Sequence, residues 1–280
     1  MFQIGPYRLD LINDGLFEDD ADTFVDMERF QWRAIPKVDG GKRIRVAFNS
    51  LLVRGNDLTV VVDPGVGDKP LTDLIGGYRV EWPRRFLKTL TELGVSRESV
   101  DAVILTHLHW DHAGGATTLD KSGRVVPTFP AARYFVQRKE LDAALAATEW
   151  GDDAYNANDF KPLLDCGCLT LLDGDSEVLT GISVRWTGGH CPGHQVVFIE
   201  GDGQRAIYLS DLVPTSAQLP LHSVLSYDQD RNELLAAKAA ILEEAASRED
   251  LLLFVHAPLV RAARAKHDAD GSLRFDPVTV

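Results

Sequence analysis

Short apolar runs bounded by turn residues recur along the chain and predict many strands. Residues 58–62, Leu-Thr-Val-Val-Val, are apolar enough to predict a strand at the centre of a sheet. The first run alternates only loosely and is predicted to end in a turn at Asn13, Asp14 and Gly15. The predicted strands are residues 4–12, 45–54, 58–62, 100–105, 132–136, 169–172, 182–186, 195–199, 206–209 and 251–255.

Three longer segments have the spacing or the terminal residues of helices. Residues 82–93 have Pro83 near the start and Gly94 after the end, which are common helix boundaries. Residues 137–148 are amphipathic, and residues 231–247 are rich in Ala, Leu and Glu. Because strands and helices occur in two successive halves, we expect an α+β sandwich of two mixed sheets packed face to face, with helices outside.

Two segments without a clear period interrupt this predicted single domain, which covers residues 1–280. Residues 15–44 are interpreted as a long loop that either covers a pocket as a lid or packs on the core as a tail. As a lid, the loop covers either its own site or that of a partner in a homodimer. Residues 213–230 are expected to form a wall of the pocket. The loop carries the aromatic residues Phe17, Phe24, Phe30 and Trp32.

Composition excludes several classes of protein. The chain has 280 residues, of which 45% are hydrophobic and 25% charged, as in ordinary globular proteins. A net charge of -13 argues against a nucleic-acid partner, since phosphate binding needs basic surface. We find neither a signal-peptide pattern nor a long apolar run, and expect a cytoplasmic protein without a membrane span. Cys166 and Cys168 are then expected to be reduced thiols.

Metal-ligand residue types are concentrated directly after the predicted strand 100–105. Alternation places His107 and His109 on the same side of an extended segment, where both can bind one ion. Gly114 and Gly115 permit a tight bend close to these side chains. Single histidines are ordinarily not ligands, but several within six residues predict a metal site. The four residues are His107, His109, Asp111 and His112.

Later predicted strands also end in possible ligands. His190 and His194 follow strand 182–186, Asp211 follows strand 206–209, and His256 follows strand 251–255. Asp63 follows strand 58–62 and is expected to brace the metal loops by hydrogen bonding rather than to bind metal. His194 is an alternative to His190, with a supporting hydrogen bond as its more ordinary role. His222 and His267 lie in no motif and are expected to be solvated, while Cys191 is expected to be a packing residue.

These motifs, His-x-His-x-Asp-His followed by a His in a Gly/Pro loop, an Asp and a last His, resemble those of the metallo-β-lactamase-fold hydrolase superfamily. Asp63-Pro64-Gly65 and the Gly-His-x-Pro-Gly-His segment resemble the lactonase and methyl-parathion-hydrolase-like group. The resemblance implies an αββα sandwich and two metal ions. It implies one ion held by His107, His109 and His190, a second by Asp111, His112 and His256, and Asp211 bridging both.

Nitrogen-rich ligands favour zinc, with iron or manganese as alternatives. A related flavodiiron branch has Glu where this chain has His109, so a di-iron oxidoreductase is the less favoured reading. Two bridged ions are expected to supply hydroxide to a small-molecule substrate, with Asp111 or Asp211 receiving the proton. A lactone or carboxylic ester is expected, and a phosphotriester or phosphodiester is the alternative.

Two observations bear on the substrate. The lactonases have Tyr shortly after the bridging Asp, where this chain has Leu212, and Tyr227 is the nearest candidate. An apolar pocket would suit a substrate with a hydrophobic arm. Its expected lining is Phe17, Phe24, Phe30, Trp32, Trp110 and Leu219.

Overall fold

The chain forms two large sheets that are covered by helices. The structure is a computed structural model that describes residues 1–25, 35–70, 78–81, 83–150 and 152–279. The described strands, in chain order, are β1 (Phe2–Ile4), β2 (Tyr7–Asp20), β3 (Phe24–Val25), β4 (Lys37–Val38), β5 (Arg43–Gly55), β6 (Leu58–Val62), β7 (Ala102–Ile104), β8 (Thr117–Leu119), β9 (Val125–Pro127), β10 (Arg133–Gln137), β11 (Leu169–Leu172), β12 (Ser176–Leu179), β13 (Ile182–Trp186), β14 (Gln195–Gly201), β15 (Gln204–Tyr208), β16 (Val224–Leu225), β17 (Leu251–Leu253), β18 (Ala262–His267) and β19 (Leu273–Pro277). The described helices are α1 (Phe86–Glu92), α2 (Trp110–Ala113), α3 (Arg138–Trp150), α4 (Ala157–Asp165) and α5 (Arg231–Arg248).

Each large sheet is mixed. The first has the order β1-β2-β5-β6-β7-β10-β11, with β4 beside β5, and changes from antiparallel to parallel pairing at β6. The second has the order β12-β13-β14-β15-β17-β18-β19 and is antiparallel except between β15 and β17. Strand β6 is paired on both sides, so the prediction that residues 58–62 are central is confirmed. Two small sheets pair β3 with β16 and β8 with β9.

Alternation along the central strands places side chains in hydrophobic cores on both faces of each large sheet. Val60 and Val62 face a core that contains residues of both sheets, including Tyr208, whereas Val61 faces the opposite side. Burying each of these valines stabilises the fold by roughly 1.5–3 kcal/mol. Helices α1, α3 and α4 cover the outer face of the first sheet, and α5 covers that of the second. The predicted αββα sandwich is confirmed.

The two sheets are also joined by main-chain hydrogen bonds near one edge. The N–H groups of Ala47 and Asn49, on β5 of the first sheet, donate to the carbonyls of His256 and Val255, which follow β17 of the second (3.0 and 2.9 Å). The Asn49 side chain adds hydrogen bonds to the carbonyls of Phe254 and Ala257. The segment that follows β17 is therefore held by both sheets.

Asn13, Asp14 and Gly15 do not form the predicted turn, because β2 continues to Asp20 with a register shift at this point. The fully buried Asp14 carboxylate accepts hydrogen bonds from the N–H groups of Arg85 and Phe86 at the start of α1 (2.6 Å each). These residues therefore form an irregularity within β2, and the Asp14 carboxylate at this irregularity fixes the start of α1.

The predicted loop at residues 15–44 is wrong at both ends, where β2 and β5 extend into it. Between them, β3 pairs with β16 and β4 pairs with β5. Phe30 and Trp32 lie outside the described residues, as does Trp82 in the predicted helix 82–93, of which α1 is the observed part. The pairing of β3 with β16 joins segments that are far apart in the chain, which a local sequence pattern does not reveal.

Cys166 and Cys168 are joined by a disulfide, which corrects the prediction of reduced thiols. The bond encloses only Gly167, which permits the sulfurs to meet without linking distant parts of the fold. Cys191 is free and buried, as expected of a packing residue. Among the described helices, none is both long and apolar enough to cross a bilayer.

Helix α5 holds the segment 213–230 through one buried lysine. The Lys238 ammonium is fully buried and donates to the carbonyls of Pro220 and Ser223 at 2.8 Å each. Burial lowers the pKa of Lys238 to about 7, against the opposing effect of Asp228. The charged form of this side chain therefore costs free energy in the folded state.

We expect Lys238→Met to remove a pH dependence of stability. The folded-state pKa of about 7 lies below the ordinary value of 10.5, so the unfolded chain binds more protons between these pH values. The unfolding free energy of the wild type should therefore rise relative to the variant from pH 7 upward, by up to about 1.4 kcal/mol per pH unit. Urea unfolding between pH 6 and 10 measures this difference, with the exposed Lys88→Met as the control. Parallel pH profiles for wild type and Lys238→Met would contradict it.

Candidate metal centre

The structure brings the seven predicted ligands together at one edge of the sandwich. They follow the carboxyl ends of strands in both sheets, which meet at this edge. Asp111 and His112 lie on the short helix α2, and Asp211 lies in the turn Ser210–Leu212 after β15. His107 and His109 follow β7, His190 lies between β13 and β14, and His256 follows β17.

The first cluster consists of His107, His109, His190 and Asp211. His109 directs Nδ1 towards Nε2 of His107 and Nε2 of His190, at 3.0 and 3.1 Å. Asp211 Oδ2 lies 3.2 Å from Nε2 of His190 and 3.6 Å from Nε2 of His107. One nitrogen from each ring and one carboxylate oxygen therefore converge on a single point.

The second cluster consists of Asp111, His112 and His256. Nε2 of His112 and Nε2 of His256 are 3.2 Å apart, and Asp111 Oδ2 lies 3.6 and 3.4 Å from them. Asp211 also reaches this cluster, with Oδ2 at 3.2 Å from His112 and Oδ1 at 3.2 Å from His256. The Asp211 carboxylate thus lies between the two clusters.

The donor atoms fit two divalent cations. Imidazole nitrogens that face one another at hydrogen-bond distance leave lone pairs opposed unless a proton or a cation lies between them. Asp211 Oδ1 is buried and makes no hydrogen bond within the described part of the chain. Nitrogen and carboxylate ligands in this number suit zinc, iron or manganese.

Four of the histidines have the other ring nitrogen fixed by a partner outside the cluster. Such contacts set the tautomer and orientation of a metal-binding imidazole. The partner atoms are Thr106 Oγ1 for His107 (3.1 Å), Asp63 Oδ2 for His112 (2.9 Å), Asp228 Oδ1 for His190 (2.9 Å) and the Ala47 carbonyl for His256 (2.8 Å).

Asp63 braces the metal loops, as the sequence predicts. Its carboxylate accepts hydrogen bonds from the N–H and hydroxyl of Thr106 at 2.8 and 2.7 Å, in addition to its contact with His112. Gly115 lets the following chain pack against this loop, since a Cβ there would lie 2.3 Å from the Pro64 carbonyl oxygen. The glycine is therefore needed for a close approach rather than for a turn.

Glu140 is a supporting residue that the sequence analysis missed. Its fully buried carboxylate accepts from the N–H of Leu108 (2.9 Å), between the first two histidines of the motif. It also accepts from the N–H of Gly193 and the thiol of Cys191 (3.1 Å each), in the loop that carries His190. One side chain on α3 thus joins two loops of the first cluster, and nothing in its local sequence distinguishes it from other helical glutamates.

His194 belongs to neither cluster. Its Nε2 accepts from the N–H of Asp211 (3.2 Å), and its Nδ1 lies 2.6 Å from the Thr187 hydroxyl. Since Nε2 accepts, the proton is on Nδ1 and is donated to Thr187. His194 therefore has the supporting role expected of it, and holds the backbone at Asp211.

The directions of the pKa shifts favour metal binding at His107, His109 and Asp211 and oppose it at His112, His190 and His256. Burial lowers the pKa of both His107 and His109 well below the ordinary value, and the neighbouring histidines lower it further. Burial opposes a charge on His112, but Asp211 and Asp111 outweigh it and raise the pKa of His112 well above the ordinary value. Burial raises the pKa of Asp211, but the surrounding histidines outweigh it and hold the pKa well below its usual range. A cation at the second cluster would displace the proton of His112.

A cavity of about 230 Å³ opens onto the clusters. Tyr227 and Gln229 of the segment 213–230 form part of its wall, and Tyr78 and three further carboxylates were not predicted. The predicted apolar lining is only partly correct, because Phe24 and Leu219 are buried and do not line the cavity. The lining residues are Phe17, Asp19, Tyr78, His109, Trp110, Asp111, Asp152, Asp153, Ala154, Asp211, Tyr227 and Gln229.

Curated proteins that resemble this chain include lactonases. An N-acyl homoserine lactonase of Bacillus thuringiensis is 28% identical over 180 residues, covering 61% of this chain and 65% of that protein. The lactonase AttM of Agrobacterium fabrum is 26% identical over 173 residues, covering 59% of this chain and 60% of that protein. The aligned regions thus span less than two thirds of each lactonase.

Solved structures show the same fold. A probable metal-dependent hydrolase from Staphylococcus aureus has a TM-score of 0.84 at 21% identity, covering 100% of this chain and 99% of that one. The dizinc quorum-quenching lactonase AidC has a TM-score of 0.76 at 22% identity, covering 100% and 97%. The family model described as the Metallo-beta-lactamase superfamily matches residues 45–256. With that match over most of its length and the fold described above, the chain belongs to the metallo-beta-lactamase superfamily.

Proposed function

We propose that this protein is a dinuclear-metal-dependent hydrolase of lactones or carboxylic esters. The observation that carries the proposal is the position of Asp211, whose carboxylate lies between two clusters of ligands at the floor of a cavity. A carboxylate in this position can bridge two cations. The lactonase relatives and the family membership support the same reaction class.

The proposed ligands divide into two sets that share Asp211. His107, His109 and His190 would hold one ion, and Asp111, His112 and His256 would hold the second. Zinc is favoured by the number of imidazole ligands, with iron and manganese as alternatives. Bound there, two divalent cations would polarise the substrate carbonyl and bring the pKa of water from about 15.7 towards 7.

Asp111 and Asp211 are the proposed acid–base groups of this chain, since both line the cavity. Hydrolysis adds the oxygen of water to the acyl carbon and breaks the bond from that carbon to the ring or alkoxy oxygen. One carboxylate receives the proton released from water and returns it to the leaving oxygen. The products are a carboxylate and an alcohol, which remain one molecule when the substrate is a lactone.

Cavity side chains would orient the substrate. The phenols of Tyr78 and Tyr227 line the cavity and can donate hydrogen bonds to oxygens of the substrate. Tyr227 packs on His190, with ring centroids 5.7 Å apart, and therefore lies beside the first cluster. Phe17 and Trp110 provide apolar contact.

Metal analysis combined with initial rates on a substrate panel tests the proposal. The panel contains an acyl-homoserine lactone, an aryl ester, an organophosphate triester, a β-lactam and a thioester. We expect roughly two zinc ions per chain and turnover of the lactone or ester that a chelator abolishes. Fastest turnover of the triester would favour the phosphoester alternative. Two irons with no hydrolysis of any panel member would overturn the proposal.

A further inference from the structure

Three aspartates of the cavity are not used by the proposed centre. Asp19, Asp152 and Asp153 line it together with the ligands Asp111 and Asp211. Among the described lining residues there is no lysine or arginine. Two bound divalent cations would carry more positive charge than the ligand carboxylates Asp111 and Asp211 neutralise, so the floor of the cavity would be positive. The three other aspartates make the wall of the cavity negative. The cavity is therefore electrically asymmetric.

Asp19 is built into the fold rather than placed on a loose surface. It lies near the end of β2, is only 8% exposed, and its Oδ1 accepts the N–H of Asp20 at 2.7 Å. Burial is the main cause that raises the pKa of the neighbouring Tyr78 to about 12, and the charges of Asp19 and Asp111 add to it. Tyr78 therefore remains a neutral hydrogen-bond donor beside these carboxylates.

Aromatic rings line the same cavity as the carboxylates. The ring of Phe17 lies 6.1 Å from those of Tyr78 and Trp110, which are 5.3 Å from each other. Tyr227 contributes a fourth ring to the lining. Aromatic rings attract cations through their negative faces, and Trp and Tyr do so most strongly. Aromatic rings and carboxylates around one cavity are the combination that recognises an organic cation.

We propose that the substrate of this centre is an ester or lactone that carries a positively charged ammonium group. This inference rests on the proposed hydrolase function and specifies its substrate class. The scissile carbonyl would approach the floor, and the ammonium group would lie between the aspartates and the aromatic rings.

The same charges act against anionic substrates. A β-lactam carboxylate or a phosphodiester would face Asp19, Asp152 and Asp153 without a compensating basic residue in the described lining. Like charges that are brought together without compensation lower affinity and so contribute to specificity.

A matched set of esters tests the inference. Acetylcholine and 3,3-dimethylbutyl acetate have nearly the same shape and differ in charge, and the monomethyl ester of succinate is the anionic member. We expect kcat/KM of the zinc-loaded protein to be about tenfold or more higher for the cationic ester than for the neutral one at low ionic strength. The ratio should fall as salt is added, and the anionic ester should be the poorest substrate.

Variants assign the effect to the cavity. Asp153→Asn and Asp19→Asn should each lower the ratio of cationic to neutral turnover several-fold. Asp142→Asn, at an exposed position on α3 outside the cavity lining, should leave the ratio unchanged. If the kcat/KM values for acetylcholine and 3,3-dimethylbutyl acetate differ by less than twofold, the inference is overturned and the hydrolase proposal is unaffected.

A binding measurement separates the two proposals if none of the esters is hydrolysed. Calorimetric titration of the zinc-loaded protein compares choline with 3,3-dimethylbutanol. Tighter binding of choline that Asp153→Asn weakens would support the cationic class even though the hydrolase proposal had failed. Equal or undetectable binding of both alcohols, together with the absence of turnover, would overturn both proposals.

Discussion

Asp211→Asn should lower kcat/KM by about 1000-fold or more, because the change removes a bridging ligand and a proposed proton acceptor together. An amide oxygen is a weaker ligand than a carboxylate, and the amide nitrogen would face either His256 or both His112 and His190. We therefore also expect the variant to retain less metal than the wild type. Metal analysis and initial rates at matched zinc concentrations measure both effects.

The exposed substitution Asp142→Asn is the control for expression and folding, and circular dichroism shows whether Asp211→Asn retains the fold. A correctly folded Asp211→Asn protein that carries the wild-type amount of metal and has wild-type turnover would contradict the bridging role. Loss of turnover with full metal content would instead restrict Asp211 to proton transfer.

Glu140→Gln should lower the unfolding free energy by about 2–3 kcal/mol, since one of its buried donors would then face an amide N–H₂ group. The carboxylate accepts from Leu108 through Oε1 and from Gly193 and Cys191 through Oε2, and an amide offers an acceptor on one side only. The affected loops carry three ligands of the first cluster. We therefore expect metal affinity to fall about 10- to 100-fold.

Glu149→Gln is the matched control, because it makes the same chemical change at an exposed position on the same helix. Urea unfolding of the metal-free proteins measures the change in unfolding free energy, and competition with a zinc chelator measures the change in zinc affinity. The positioning role is excluded if Glu140→Gln binds zinc as tightly as the Glu149→Gln control.

The ligand-type residues could be located from the sequence because each follows an apolar run. In a sandwich the ends of such strands can meet at one edge, and the resemblance of the motifs to the metallo-β-lactamase superfamily predicted which of these residues would converge. Because side chains alternate between the two faces of a strand, Val61 faces away from Val60 and Val62, and the apolar character of all three was consistent with a strand buried on both faces.

Features that depend on contacts between distant segments were not predictable. Asn13, Asp14 and Gly15 have the composition of a turn, yet the contact of Asp14 with α1 makes them part of a strand. Glu140 acts through loops that lie 32 and 53 residues from it in the chain. Asp19 lies in a segment interpreted as a loop, so its place in the cavity wall became visible only when β2 was seen to extend to it.

The candidate site occupies the seam at which β5 of one sheet is hydrogen-bonded to the segment after β17 of the other. His256 belongs to that segment, whereas His107 and His109 follow a strand of the opposite sheet. A slight opening of the seam would separate the ligands while both sheets remained folded. Heat or denaturant should therefore release metal before secondary structure is lost. The metal content would then report on the association of the two sheets, separately from the folding of each.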